Sequence, residues 1–337
     1  MKLATIEQIL SLSPIDGADR IELATVLGWQ VVVKKGEFNV GDLCIYIPID
    51  TTVDPQKEYF KHLANQKNPE KRVKIQTIKL KGVYSQGFIL PISILKDIQL
   101  SIGDDVSVFL DVQKYEKENL LISNGTTTHN KPFPTEIISK TDEDNLKTKY
   151  KILEELIDKE VYITLKMDGS SLTIIKKDNE IIVCSRNLVI EEGHIMYQYL
   201  IQDKLINKIK KYEGNIAIQG EFCGPKVNNN RMELKKYKWY IFNIKDLNTD
   251  KFFGLKELQD FTNKYEFDMV PLLDTLILDN TYNVNKFQEY SNNVTYTTPM
   301  NRKVPAEGIV VRPIEPIWSK YLEKYISFKI INQKYKD

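Results

Sequence analysis

The sequence predicts an α+β protein of two domains: a small β-barrel, then a larger domain of antiparallel sheets and helices around a cleft. Three observations predict it. Residues 1–112 carry short apolar runs separated by glycine turns, the pattern of a small barrel. Residues 113–130 turn charged (Lys114-Tyr115-Glu116-Lys117-Glu118-Asn119), then polar and turn-rich (Ser123-Asn124-Gly125-Thr126-Thr127-Thr128), as a linker does. From residue 131 to 337, β-type apolar runs alternate with helical spacing, and chemistry-bearing residues fall at the strand ends.

Bulk composition narrows the function. A chain of 337 residues with 42% hydrophobic residues can bury two cores. Net charge is +1, from 47 basic and 46 acidic residues, so any nucleic-acid surface must come from local clustering. Cys44, Cys184 and Cys223 are odd in number and scattered without a C-x-x-C, which excludes a disulfide framework or zinc site and fits a reducing compartment. His62, His129 and His194 show no metal-ligand spacing, so a metal would be a hard cation on oxygen. No apolar run approaches the roughly 18 residues of a membrane span, and the N-terminus lacks a signal pattern. The expectation is a cytoplasmic protein without a membrane partner, or a nuclear one in a eukaryotic host.

Within the barrel, Gly28-Trp29-Gln30-Val31-Val32-Val33 and Val40-Gly41-Asp42-Leu43-Cys44-Ile45-Tyr46-Ile47 read as strands punctuated by turns. A second Gly-Asp turn, in Ile102-Gly103-Asp104-Asp105-Val106-Ser107-Val108, predicts a closing strand. Pro14-Ile15-Asp16-Gly17-Ala18-Asp19-Arg20-Ile21-Glu22 is a turn between strands on its residues alone, and it resembles the opening of tRNA-binding OB-fold modules. That resemblance makes the barrel OB-like. Arg72, Lys74, Lys79 and Lys81 form the densest basic cluster. Alternation puts Arg72 and Lys74 on one face, and Lys79 and Lys81 on the other unless a bulge near Thr77 shifts them. The cluster reads either as an RNA contact, with Tyr84 and Phe88 as stacking groups, or as a solvated edge strand.

In the second domain, helical spacing covers Asp142 to Asp158 and Gly193 to Tyr212. Strands are expected at 161–165, 172–176, 181–185, 216–222, 238–244, 308–312 and 326–330, forming two sheets that flank a cleft.

The strand Val161-Tyr162-Ile163-Thr164-Leu165 delivers Lys166-Met167-Asp168-Gly169. Alone, such a tetrapeptide is weak. In order, the chain then supplies Ser185-Arg186-Asn187, Gln219-Gly220-Glu221, Tyr240-Ile241-Phe242-Asn243-Ile244, Glu307-Gly308-Ile309-Val310-Val311-Arg312 and Ser327-Phe328-Lys329. That ordered set resembles the collinear motifs of covalent nucleotidyltransferases, the ATP-dependent ligases and mRNA capping enzymes. Only 8 residues follow Lys329, whereas capping enzymes and conventional DNA ligases carry a further OB domain there. A barrel placed before the catalytic domain resembles the Naegleria-type RNA ligases. The likeness extends to Phe133-Pro134, Lys140-Thr141-Asp142-Glu143, Gly220-Glu221-Phe222-Cys223-Gly224-Pro225 and Ser85-Gln86-Gly87. Two departures stand out: Ile331 where many relatives have a second lysine, and Lys147 near a position where they often have glutamine.

The resemblance implies ATP as donor, Mg²⁺ or Mn²⁺ as cofactor, and a monomer that seals 3′-OH and 5′-phosphate RNA ends, a nicked duplex above all. Lys166 is then the nucleophile that stores AMP as a phosphoramidate. A free lysine, with a pKa near 10.4, must be made neutral; a neighbouring cation, Lys329 or the metal, would favour that. Lys329 also suits neutralisation of the α-phosphate. Glu221 and Glu307 are the candidate metal-site carboxylates, through the ion's water shell; Asp168 either joins them, braces the lysine loop or meets the metal during transfer of AMP to the RNA, and Glu221 equally resembles a ribose ligand. Phe242 would stack on the adenine, with Val310 or Ile309 as the opposite aliphatic wall; Leu165 is a further nucleotide-binding candidate, and Arg186 would hold a phosphate or the RNA. Gly169, Gly220 and Gly308 allow close backbone approach. No Gly-x-x-x-x-Gly-Lys-Ser/Thr or Gly-x-Gly-x-x-Gly is present. Two alternatives stay open: a DNA ligase or capping-type enzyme, and a catalytically inactive RNA-binding protein.

Overall fold

The computed structural model describes residues 2–66, 68–95, 100–115 and 131–335. The chain divides into two compact units, Met1–Glu118 and Asn119–Asp337. Most of the expected linker, residues 116–130, lies outside the described residues together with His129; Gln113–Lys114 is a strand paired with Thr51–Val53. No helix among the described residues is long and apolar enough to cross a membrane.

The first unit is built of short antiparallel strands, as its glycine-punctuated sequence predicts. Leu43–Ile47 is flanked by Thr5–Gln8 and Phe88–Pro91, while Ser11–Pro14, Ile21–Val26 and Trp29–Lys34 form a meander. Trp29, Tyr46 and Phe60 are buried at the centre. Two expectations change. The run Val106-Ser107-Val108 is helical over Ser107–Leu110, because Asp105 accepts the Ser107 N–H and Asp111, at φ 53, ends the turn. The basic run 72–81 is not one bulged strand. Val73–Ile75 pairs with Thr51–Val53, and Ile78–Leu80 pairs with Val83–Ser85 through Lys81-Gly82. Both turn residues have positive φ (46 and 87), the backbone of a tight two-residue hairpin.

The second unit holds two sheets. The five-stranded sheet runs Asp144–Asn145, Phe328–Ile331, Gly308–Pro313, Glu160–Lys166, Leu272–Ile277. The six-stranded sheet contains Glu180–Cys184, Ser170–Lys177, Ile216–Cys223, Lys238–Asp246 and Lys251–Phe252, with Asp268–Met269 beside Lys238–Asp246. Alternation sorts the side chains. In the first sheet Ile163, Ile309, Val311, Phe328 and Ile330 pack with Phe287 of the helix Val284–Asn292. Register puts Thr164 opposite Val310, Val310 opposite Lys329, and Lys166 opposite Gly308, so these share the other face. In the second sheet Leu172, Ile174, Ile218, Phe222, Trp239 and Ile241 meet the helices, leaving Ser171, Thr173, Gln219 and Glu221 on the opposite face.

The seven expected strands form with bounds shifted by a residue or two. The helix expected over Asp142–Asp158 shrinks to a 3₁₀ segment, Tyr150–Leu156. Asp144–Asn145 pairs with Phe328–Lys329, and Asn145 accepts from the Lys147 N–H and the Thr148 hydroxyl, capturing backbone that a helix would need. The helix expected over Gly193–Tyr212 is two, Ile195–Gln202 and Leu205–Lys210, broken at Lys204 (φ 57). The break lets Met196, Tyr199 and Leu200, and also Leu205, Ile206 and Ile209, reach one core.

Candidate active site

Lys166 ends a strand of one sheet and Ser170 begins a strand of the other. Met167, Asp168 and Gly169 alone span the gap, so the tetrapeptide is the junction of the two sheets. A side chain at Gly169 would strike the Phe222 carbonyl, with Cys223 Sγ at 2.7 Å and Glu221 Cγ at 2.9 Å. Glycine therefore lets the junction press against Glu221–Cys223 and brings Lys166 beside Glu221.

Lys166 Nζ forms an ion pair with Glu307 Oε1 at 2.6 Å. The Tyr296 hydroxyl donates to the Lys166 carbonyl (2.6 Å) and accepts the Glu307 N–H (3.2 Å), fixing both partners. Asn228 donates from one amide nitrogen to Asp168 Oδ1 (2.8 Å) and to the Gly169 carbonyl (2.6 Å). Asp168 is 8% exposed, and its Oδ2 is buried without a hydrogen-bond partner. Neither Tyr296 nor Asn228 was found from the sequence. Only the position of Asn228, five residues past Cys223 in the extended Gly220–Pro225 motif, offered a signal.

The electrostatics reverse the sequence expectation for Lys166. Burial would lower its pKa, but Glu307 first, then Glu221 and Asp168, raise it, so the lysine is held as an ammonium. Burial pushes the Glu221 carboxyl up to about 8, with Glu307 and Asp168 adding to the rise against the pull of Lys166 and Arg186. Burial also raises Glu307, opposed by Lys166 and Lys329. Lys329 thus acts on the Glu307 side of the cluster.

A family model described as RNA ligase matches residues 159–331. The chain belongs to the RNA ligase family. A model described as an OB-fold domain matches residues 3–92 of the ligase. Among solved structures, it is similar to a Lys-to-Ala mutant of Naegleria gruberi RNA ligase with ATP and Mn, at 29% identity and TM-score 0.82 over 98% of this chain and 97% of that one. The same enzyme with PPi gives 29% identity and TM-score 0.82, with 98% and 97% covered. A Glu-to-Ala mutant with AMP and Mn gives 28% and 0.82, again with 98% and 97% covered. No curated protein matches.

The structure places the remaining predicted residues of the ligase unevenly. Phe242 borders the apolar cluster of Leu165, Met167, Cys223 and Tyr296. Leu165 is itself buried in that cluster, and its backbone N–H donates to the Pro271 carbonyl. Val310 is nearly buried on the Lys166 face. Arg186 is paired with Asp142 at 2.7 Å. Arg72 and Lys74 lie in the first unit and have internal partners. Arg72 bridges Asp111 (2.7 Å) and Thr52, and Lys74 sits 3.3 Å from Asp50 and 4.3 Å from the Tyr115 ring centre. Arg72 ties the strand Thr51–Val53 to Asp111 at the end of the Ser107–Leu110 helix, a reason for arginine that the sequence pattern does not display.

The donor set was tested for the divalent cation that the family resemblance implies. Among the described residues no three acidic, histidine or cysteine side chains gather tightly enough to ligate a metal directly, so Asp168, Glu221 and Glu307 are not a ready-made ligand cage. They do fit a hydrated ion: three carboxylates surround one lysine, and Asp168 Oδ2 is an acceptor without a donor. Asp168, Glu221 and Glu307 would hold such an ion through its waters, and its charge would offset the carboxylates that keep Lys166 protonated.

Glu221 gives a pH prediction. Burial holds its pKa at about 8 in the folded protein, above the ordinary value of 4.5. The folded state then binds more protons than the unfolded state, and stability falls as pH rises across that window. With nucleotide and divalent ions removed, the wild-type melting temperature should drop relative to Glu221→Gln between those two pH values. Parallel melting profiles would contradict the assignment.

Proposed function

We propose that the ligase uses ATP with Mg²⁺ or Mn²⁺ to seal 3′-OH and 5′-phosphate RNA ends through an adenylate on Lys166. The observation that carries this reading is the Lys166–Glu307 pair at 2.6 Å, set with Glu221 and Asp168 at the three-residue junction of the sheets.

In the first step the Lys166 ammonium gives its proton to Glu307 Oε1, 2.6 Å away, and the neutral Nζ attacks the α-phosphorus of ATP. A P–N bond forms, the bond to the bridging oxygen breaks, and pyrophosphate leaves. In the second, a 5′-phosphate oxygen of the RNA attacks that phosphorus and Lys166 departs with its electron pair. In the third, the 3′-OH attacks the activated 5′-phosphate, loses its proton, and AMP leaves. Lys329 neutralises charge that builds on the α-phosphate. Phe242 carries the adenine, Val310 and Leu165 form the apolar wall, and Arg186 exchanges Asp142 for a phosphate of the nucleotide or RNA.

Residues 1–112 act as the RNA-gripping barrel and residues 131–337 as the catalytic domain, joined by 113–130. Because Arg72 and Lys74 are engaged within the barrel, the RNA contact passes to the exposed Ile78–Leu80 hairpin, where Lys79 lies 5.3 Å from the centre of the Tyr84 ring. The enzyme works as a monomer in the cytoplasm, or in the nucleus of a eukaryotic host.

A nicked duplex is the preferred substrate, because its template aligns both ends and supplies proximity. Sealing of a nicked RNA duplex should exceed joining of the same strands without template by at least about tenfold. Equal rates on both substrates would overturn the preference.

A further inference from the structure

Arg312 closes the motif that begins at Glu307, and the reaction above gives it no task. It faces the same side of its strand as Val310 and sits opposite Tyr162 on the neighbouring strand, within hydrogen-bonding reach of it. Its guanidinium lies 5.5 Å from the ring centre of Phe242, which belongs to the other sheet. Its Nη2 donates to Glu143 Oε1, and the two side chains are only 11% and 17% exposed.

Glu143 comes from a strap that spans both sheets. Five successive residues each make a bond. Lys140 donates to Asn187 (2.7 Å), Thr141 meets Ser171 (3.0 Å), and Asp142 pairs with Arg186 (2.7 Å), all beside the six-stranded sheet. Glu143 then pairs with Arg312, and Asp144 with Lys324 (2.8 Å), on the side of the five-stranded sheet. A buried ion pair adds little net stability over apolar packing, because desolvation offsets the attraction. Its value here is directional: the single Nη2–Glu143 bond, with Tyr162 in hydrogen-bonding reach, holds the guanidinium against an aromatic ring, while Nη1 stays buried without a hydrogen-bond partner among the described residues.

We infer that Arg312, locked by Glu143, is a positioning residue for the Phe242 ring and thereby sets the affinity of the ligase for ATP. The inference rests on the reading of Phe242 as the nucleobase platform. It concerns binding, since Arg312 pairs with Glu143 while Lys166 pairs with Glu307.

The test follows Lys166 adenylylation against ATP concentration in full-length wild type, Arg312→Met, Arg312→Lys, Glu143→Gln, Phe242→Ala and the Arg312→Met/Phe242→Ala double variant. Arg312→Met should raise the half-saturating ATP concentration by about tenfold or more, with the rate at saturation within about threefold of wild type. Arg312→Lys should recover only part of the loss, because a compact ammonium cannot pair with Glu143 and lie against the ring at once as the planar guanidinium does. Glu143→Gln should move in the same direction, and it keeps side-chain volume where Arg312→Met fails to fold. On the Phe242→Ala background, Arg312→Met should add less than about twofold. A labelled wild type with an unshifted Arg312→Met refutes the proposal alone. So does equal loss of affinity and maximal rate, or a full Arg312→Met effect without Phe242. If Phe242→Ala leaves the ATP dependence unmoved, the platform and the proposal fall together. A wild type that takes no label, and carries no AMP already, refutes the underlying adenylylation reading.

Discussion

Lys166→Ala should abolish adenylylation and the sealing of 5′-phosphate ends, by more than about four orders of magnitude, while still closing a nick whose 5′ end already carries AMP. The split follows from the bonds made. Nζ forms the P–N bond of the stored adenylate, and alanine offers no substitute. In closure the 3′-OH attacks a phosphate whose leaving group is already in place, so Lys166 contributes only charge. Its removal leaves Glu307, Glu221 and Asp168 without the cation that the 2.6 Å pair supplies. The uncompensated acidic cluster should attract a divalent ion more strongly, so closure by this variant should saturate at a lower divalent-ion concentration than in wild type. A Lys166→Ala protein that joins 5′-phosphate ends at a measurable fraction of the wild-type rate would contradict the assignment.

Lys329→Ala should slow adenylylation at saturating ATP by about 10² to 10³, or roughly 3–4 kcal/mol of transition-state stabilisation. Lys329 stands opposite Val310 in the strand register and opposes the rise in the Glu307 pKa, so its charge reaches the cluster that holds Lys166. An ammonium fixed there stabilises charge as it develops on the α-phosphate without reorganisation. Lys329→Arg should restore only part of the rate, because guanidinium spreads the same charge over a larger plane. Single-turnover labelling reads this directly; a Lys329→Ala rate within about threefold of wild type would remove Lys329 from the chemistry.

Much of this fold is legible in the sequence because β-branched runs bounded by glycine have few alternatives. Ile216–Cys223 and Gly308–Pro313 are examples, and the order of Lys166, Glu221, Glu307 and Lys329 along the chain is the order in which the strands deliver them. Local competition hid other parts. Asn145 draws on the backbone that periodicity assigns to a helix, and Lys204 breaks a helix whose two halves fill one core. Long-range partners were invisible altogether. Tyr296 is 130 residues from Lys166, and Asn228 is 60 from Asp168, yet these bonds hold the junction in shape. The charge environment of Lys166 is a long-range property of the same kind. A sequence shows that lysine and carboxylates occur, while only the packing of two sheets shows that three of the carboxylates surround it. Arg72 is the mirror case, a cation that looks available in the sequence and is spent on Asp111 in the fold.

The central claim is a covalent adenylate on one lysine. Protein stripped of bound nucleotide with pyrophosphate, then incubated with α-labelled ATP and Mg²⁺ or Mn²⁺, should carry the label through denaturing electrophoresis. Mass mapping should place one AMP on the peptide containing Lys166, acid-labile as a phosphoramidate is, and absent from Lys166→Ala. An unlabelled protein that also holds no AMP before stripping, or an adenylate mapped to any other residue, would contradict the account.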